Sequence, residues 1–273
     1  QLRKENYDFA IINFLGLRNA PIYLTLFSGI PYRFGHITKT AGGKGKFDFF
    51  FNYPYSIKGL HELEFNKMLL RKLIPQSDES LCNNFFLDEG RYEKVDAFLK
   101  EIPNAKKVVM QVYSSFGVQK NWFGSYYVKL AGMIKENYDA AIILTGTGSE
   151  KAEIDRIFEN FEDQYYNIAG DFQLLEVAAL MKKSDLFVGN DSGLGHVSAA
   201  LGLPTVTIIA MTDYNRIRPI GEQVKVFYED LSCSPCDAIG VYPLYLDCPY
   251  DYLCKRLITP QKVFKGVKEF FDS

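Results

Sequence analysis

Short apolar runs alternate with amphipathic stretches along most of the chain, and that alternation over this length predicts parallel sheets covered by helices. In the first part the pattern predicts a strand over residues 8–14, a helix over 20–28 and a short strand over 32–36. A helix over 60–72 follows, with Leu60, Leu63, Met68 and Leu69 sharing a face at helical spacing. Residues 83–89 read as irregular, and a helix over 92–101 stops ahead of Pro103. The domain boundary is therefore expected after residue 102, giving domains 1–102 and 103–273. The second part is more regular. Strands over 107–113, 140–145, 166–169, 186–189 and 205–209 alternate with helices over 123–137, 149–161, 174–183 and 194–201, and a helix closes the chain. This α/β alternation is that of a doubly wound nucleotide-type domain. Such sheets take ligands beyond the carboxyl ends of their strands, so loops 114–121, 146–149 and 190–196 should meet one ligand.

The longest apolar runs, 9–17 and 205–211, fall short of the roughly 18 to 20 residues that span a bilayer, which predicts a soluble chain. Over all 273 residues, 31 Lys plus Arg stand against 33 Asp plus Glu. Near neutrality argues against nucleic acid as a partner. The balance hides an asymmetry. Residues 1–75 carry 11 basic against 5 acidic side chains, leaving 20 against 28 for the rest, so the first part suits an acidic partner. Arg33, Lys39, Lys44, Lys46 and Lys58 contribute to it, three of them flanking or within a glycine-rich basic loop at 42–46. Of five cysteines, four crowd between Cys233 and Cys254, unlike the spread framework of a secreted scaffold, and a reducing compartment is expected. The chain opens at Gln1, and its first residues read as the end of a helix, which predicts residues upstream.

Candidate chemistry lies in the three loops. Gly189-Asn190-Asp191-Ser192-Gly193-Leu194-Gly195-His196 joins a strand to a helix. Its glycines let backbone approach a ligand, and the first N–H groups of the helix attract anions, so a phosphate is the natural occupant. Asp191 is expected as the helix N-cap, and His196 as a neutral hydrogen-bond donor held in the first turn. A capped helix with a tight turn accounts for the same residues without a ligand. Ser114, Ser115 and Lys120 bring two hydroxyls and an ammonium to the next loop, where Lys120 would neutralise charge on a departing diphosphate. Glu150 follows Thr145-Gly146-Thr147-Gly148 at a position where a carboxylate takes the hydroxyls of a ribose, or simply favours the first turn of a helix.

The run Ser184-Asp185-Leu186-Phe187-Val188-Gly189-Asn190-Asp191-Ser192-Gly193, with His196, Ala199-Ala200-Leu201-Gly202 and Pro204-Thr205-Val206, resembles the signature of the ADP-heptose:lipopolysaccharide heptosyltransferases, glycosyltransferase family 9. Lys120-Asn121-Trp122 upstream, and Thr212-Asp213, Cys233-Ser234-Pro235-Cys236, Cys248-Pro249 and Ile258-Thr259-Pro260 downstream, extend the likeness. The resemblance implies a GT-B fold, two Rossmann-like domains facing a cleft, with the amino-terminal domain (1–102) on the acceptor side and incomplete. It implies metal-free, inverting transfer of a heptose from ADP-heptose to an acidic acceptor, the lipopolysaccharide inner core or a protein. The donor-binding set it implies is Ser114, Ser115, Lys120, Glu150, Asp191, Ser192, Gly193, Leu194 and His196, with Lys120 stabilising the leaving group and Phe172 bordering the base. The family's general base sits in an amino-terminal glycine-containing loop with no counterpart here, and the base is unassigned. Enzymes of this kind act in the cytoplasm, at the inner face of the inner membrane, which implies peripheral membrane contact.

Two other readings stay open: a GT-B protein that holds nucleotide sugar without transferring it, and a nucleotide-sugar 2-epimerase. The spacing of Cys233, Cys236, Cys248 and Cys254 would suit a structural zinc or iron as well as a set of packed thiols.

Overall fold

A computed structural model of the 273-residue chain describes residues 5–12, 20–37, 53–56, 61–74, 85–88, 92–103, 105–115, 118–236 and 248–273. The basic loop at 42–46, with Lys39 and Lys58, lies outside the described residues. The chain forms two compact units, Gln1–Leu81 and Cys82–Ser273.

In the first unit, β1 (Phe9–Ile12), β2 (Tyr32–Ile37) and β3 (Tyr53–Ser56) form a parallel sheet in that order, with Phe9 opposite Tyr32 and Phe34 opposite Tyr53. α1 (Ala20–Phe27) connects β1 to β2, and α2 (Glu62–Leu73) follows β3. The sequence did not point to β3, because Pro54 interrupts its run. A proline is tolerated in a strand paired on one side, as β3 is among the described residues. His61 caps α2, its Nδ1 accepting from the Leu63 N–H at 3.0 Å, with Glu62 and Glu64 in the favourable first turn.

The second unit begins with α3 (Glu93–Glu101), earlier than the boundary expected after residue 102. Pro103 does end the helix. What assigns α3 to this unit is its apolar face: Val95 and Ile102 are buried with Val109, Ile143, Val177 and Phe187. Six parallel strands follow: β4 (Lys106–Gln111), β5 (Ala140–Leu144), β6 (Tyr165–Asn167), β7 (Leu186–Asn190), β8 (Thr205–Ile208) and β9 (Val224–Phe227). Their spatial order is β6-β5-β4-β7-β8-β9, which reverses direction between β4 and β7. β5, β7 and β8 are buried end to end, as strands covered on both faces must be.

Successive side chains point to opposite faces, so Val108 and Met110 enter one core while Val109 enters the other. The first core lies under α4 (Gly124–Asn137) and α10 (Pro260–Phe271), the second under α3 and α6 (Leu174–Lys182). α10 is set by Thr259, whose Oγ1 accepts from the Lys262 N–H at 3.3 Å, and by Pro260 in the first turn. It buries Val263, Phe264 and Val267. At about 1.5 to 3 kcal/mol for each large apolar side chain, that stripe is what docks the helix. α5 (Lys151–Phe158) and α7 (Gly193–Ala200) complete the crossovers. The short α8 (Tyr214–Ile217), β9 and α9 (Leu253–Leu257) were not anticipated, since runs of four or five residues carry little periodicity.

Candidate functional site

The reversal between β4 and β7 opens the crevice where doubly wound sheets hold ligands, and the loops after β4 and β7 flank it. A buried hydrogen-bond network ties these loops together. Asn190, last residue of β7, is 1% exposed. Its Oδ1 accepts from the Trp122 N–H at 2.7 Å and the Tyr127 hydroxyl at 3.0 Å, and its Nδ2 donates to the Gln111 carbonyl and to Asn121 Oδ1. Asn121 Nδ2 in turn donates to the Ser114 carbonyl at 2.9 Å. Trp122 is buried and donates its Nε1–H to the Ile258 carbonyl at 2.8 Å, anchoring the loop to the stretch ahead of α10. Burial pushes the Tyr127 phenol well above its ordinary range, so it is a fixed donor at every working pH.

Two expected site residues meet directly. Lys120 Nζ lies 2.9 Å from Asp191 Oδ2, which also accepts from the Thr212 hydroxyl at 2.7 Å. The Asp191 side chain is 7% exposed and that of Lys120 31%, so the carboxylate is the more deeply buried partner of the pair. Asp191 is therefore not the N-cap of α7. That position is Ser192, and its hydroxyl does not cap the helix either; it donates to Gln111 Oε1. The opening of α7 is thus left without a side-chain cap, its donors uncompensated by any carboxylate or hydroxyl of its own. Gly193, first in the helix, is exposed, and a Cβ built on it would meet nothing within 4 Å. Protein packing does not require glycine there. Leu194 leans on the second core, and His196 stands half-buried in the first turn.

The third loop joins by a different route from the expected one. Glu150 is 4% exposed and closes a short 3-10 turn, Gly148–Glu150, that precedes α5. Its Oε1 accepts from both the N–H (2.6 Å) and the hydroxyl (3.0 Å) of Ser115, and its Oε2 from the Thr147 N–H at 2.8 Å. Both donors of Ser115 are therefore engaged by Glu150, while the residue itself is exposed. Gly170, in the left-handed region at φ 79°, lets its backbone pass Gly148, whose Cα would lie 2.4 Å from a Cβ at Gly170.

Burial pushes the Glu150 carboxyl up, but the N–H groups of Thr147 and Ser115 and their hydroxyls outweigh it and hold the group below its ordinary 4.5. The unfolded chain then takes up this proton first as pH falls. Stability from Glu150 is complete above about 4.5 and is lost as pH drops through the lower folded value. Glu150→Gln should accordingly flatten the acid limb of a thermal-midpoint-against-pH curve, and an unchanged limb would show that the carboxylate's charge is not what the clasp uses.

Among the described residues no three His, Cys, Asp or Glu side chains stand close enough to share an ion. Cys236 Sγ donates to the Cys233 carbonyl, and burial, with Cys236 and Cys248 nearby, pushes the Cys254 thiol up. Cys254 is buried beside Lys255, an ammonium lowered to about 8 by burial and packed 4.4 Å from the Tyr252 ring centre.

Sequence reasoning missed Gln111, the contact of Thr212 with Asp191 and the partner of Glu150. An available signal was the placement of polar residues at the ends of strands buried on both faces, because such groups must find partners inside the protein.

The architecture is that of a doubly wound parallel domain with a helix start and a lysine at its switch point. The chain belongs to glycosyltransferase family 9 (heptosyltransferase), whose family model matches residues 1–241. It is 28% identical over 177 residues to lipooligosaccharide heptosyltransferase 2 of Campylobacter jejuni subsp. jejuni serotype O:2, covering 62% of this chain and 53% of that protein. With lipopolysaccharide heptosyltransferase 1 of Escherichia coli (strain K12) it shares 25% identity over 228 residues, 82% of this chain and 67% of the relative. The chain spans about half the length of the Campylobacter proteins it matches. Its α/β fold is that of the GT-B heptosyltransferase structures. E. coli ADP-heptose lps heptosyltransferase II superposes with a TM-score of 0.72 at 20% identity, over 98% of this chain and 78% of that one. E. coli heptosyltransferase WaaC with ADP gives 0.65 at 21%, over 98% and 74%. No helix among the described residues is long and apolar enough to cross a membrane.

Proposed function

We propose that this protein transfers a heptose from ADP-heptose, with inversion at the anomeric carbon, to an acidic acceptor of the lipopolysaccharide inner core, in the cytoplasm at the inner face of the inner membrane. The observation that carries this reading is the opening of α7, where the N-cap Ser192 makes no side-chain cap, close to the partly exposed Lys120 paired with Asp191. A relative's structure with ADP supports the choice of nucleotide. The diphosphate of the donor is held by the N–H groups of Gly193 and Leu194 and by Lys120, with Ser114 and His196 alongside and Phe172 toward the base. As the acceptor oxygen attacks from the face opposite the diphosphate, the sugar carbon gains oxocarbenium character and negative charge gathers on the departing ADP. Groups aimed at that charge lower the barrier because they bind it more strongly in the transition state than in the ground state. A base must take the acceptor's proton, and none of the residues described here is assigned to it. The basic surplus of residues 1–75 recruits the acidic acceptor.

Gly193→Ala isolates the ligand's demand for space. Since nothing in the fold crowds that position, the thermal midpoint should hold within a few degrees while ADP affinity falls about tenfold or more. A midpoint loss without an affinity loss would place the glycine's role in folding. The reaction itself is tested on the intact gene product with ADP-heptose and heptose-deficient lipopolysaccharide. ADP release that requires the acceptor, with heptose found on it, is expected. Binding without transfer would mean a nucleotide-sugar holder, and nucleotide release without acceptor an epimerase-like activity.

A further inference from the structure

We infer that Gln111 is a positioning residue that holds the Ser192 hydroxyl away from α7, so that the N–H groups opening the helix stay free for the diphosphate. The inference rests on the nucleotide-sugar reading for its ligand and on hydrogen bonds within the chain for its geometry.

Serine is among the residues preferred at a helix N-cap, because its oxygen accepts from the second or third N–H of the helix and satisfies a donor that has no partner within it. Ser192 occupies that position ahead of α7 with an extended backbone, φ −153° and ψ 165°, yet makes no side-chain cap. Its hydroxyl donates instead to Oε1 of Gln111, 81 residues earlier in the chain.

The place of Gln111 in the sheet explains the reach. As the last residue of β4 it lies opposite Gly189 of β7, which carries no side chain. Its own side chain shares a face with Val109, which enters the core against which Leu194 and Val197 of α7 pack. The amide is therefore on the helix's side of the sheet. Its main chain is tied as well, since its carbonyl accepts from Asn190 Nδ2, and the residue is 9% exposed. A buried amide oxygen has to find a donor inside the protein, and the Ser192 hydroxyl supplies it.

The consequence falls on the first turn of α7. The Gly195 N–H already reaches the Ser192 carbonyl at 3.2 Å, so a released hydroxyl would turn to the Leu194 N–H, one of the two proposed for the diphosphate. A serine cap and a phosphate oxygen compete for that donor. Held on Gln111, the hydroxyl does not compete in the free protein, and its proton can still turn to a phosphate oxygen when the donor arrives.

Site-resolved amide hydrogen exchange and titration calorimetry with ADP, on wild type, Gln111→Met, Ser192→Ala and the double variant, test this. Methionine keeps the length of the side chain and removes the acceptor. The hydroxyl then caps the helix, so in Gln111→Met the Leu194 amide should exchange several-fold more slowly than in wild type, and ADP affinity should fall about fivefold. In the Ser192→Ala background the same substitution should change neither, because there is no hydroxyl to release. A role of Gln111 in packing alone predicts faster exchange at Leu194 and the same affinity loss in both backgrounds, and that result would overturn the inference. Should Gln111→Met fail to fold, Ser192→Asp takes its place: a carboxylate has no proton to give Gln111 and turns to the helix, so slower Leu194 exchange and weaker ADP binding are expected, and unchanged exchange overturns the inference. If wild type binds no ADP, the nucleotide-sugar reading falls, and the exchange comparison by itself decides whether Gln111 holds the hydroxyl.

Discussion

Replacing Lys120 with alanine is expected to lower kcat by about 10²- to 10³-fold while the dissociation constant for ADP changes by less than about tenfold. The asymmetry follows from the resting geometry. Asp191, 2.9 Å away and nearly buried, already balances the ammonium, so the pair attracts a ground-state diphosphate only modestly. Charge that gathers on the departing ADP shifts this balance, and the ammonium is strengthened where it counts. Lys120→Arg should recover part of the loss, since it keeps the charge but replaces a point donor with a planar fork. Losing the ammonium also leaves the nearly buried Asp191 carboxylate resting on the Thr212 hydroxyl without its counter-charge, so a lower thermal midpoint accompanies the kinetic effect. Equal losses in turnover and ADP affinity would argue that Lys120 binds the donor uniformly and does not favour its departure.

Asn190→Ala should be the most destabilising single change in the site. The asparagine is buried and satisfies the Trp122 N–H and the Tyr127 hydroxyl while donating to Gln111 and Asn121. Alanine orphans two buried donors at about 1 to 3 kcal/mol each, which at this size lowers the midpoint by roughly 5 to 15 °C. Tyr127→Phe removes one of those donors together with its need for a partner and should cost about 1 kcal/mol. The comparison of the two by thermal unfolding separates the hub from a single bond. A midpoint in Asn190→Ala no lower than in Tyr127→Phe would mean the network does not hold the loops.

The sheet of the second unit was legible because its strands are buried on both faces and read as apolar runs, and because Pro103, Gly202 and the polar loops punctuate them. The first unit was legible in part. Pro54 hid β3, and α3 carried no mark saying which sheet its apolar face would cover, since an amphipathic stripe states that a partner exists and not which one. At the site the same distinction holds. The glycine-flanked strand-to-helix turn ahead of α7 was legible locally, within a few residues of chain. The roles of Asp191 and Glu150 depended on Lys120 and Ser115, which are distant in sequence, and a carboxylate's pattern of neighbours along the chain does not reveal whether its oxygens face solvent or another loop.

The most direct test is a crystal structure of the protein with ADP. The account predicts diphosphate oxygens within about 3 Å of the N–H groups that open α7 and of Lys120 Nζ. Well-ordered ADP lodged elsewhere, with the start of α7 holding only solvent, would contradict it.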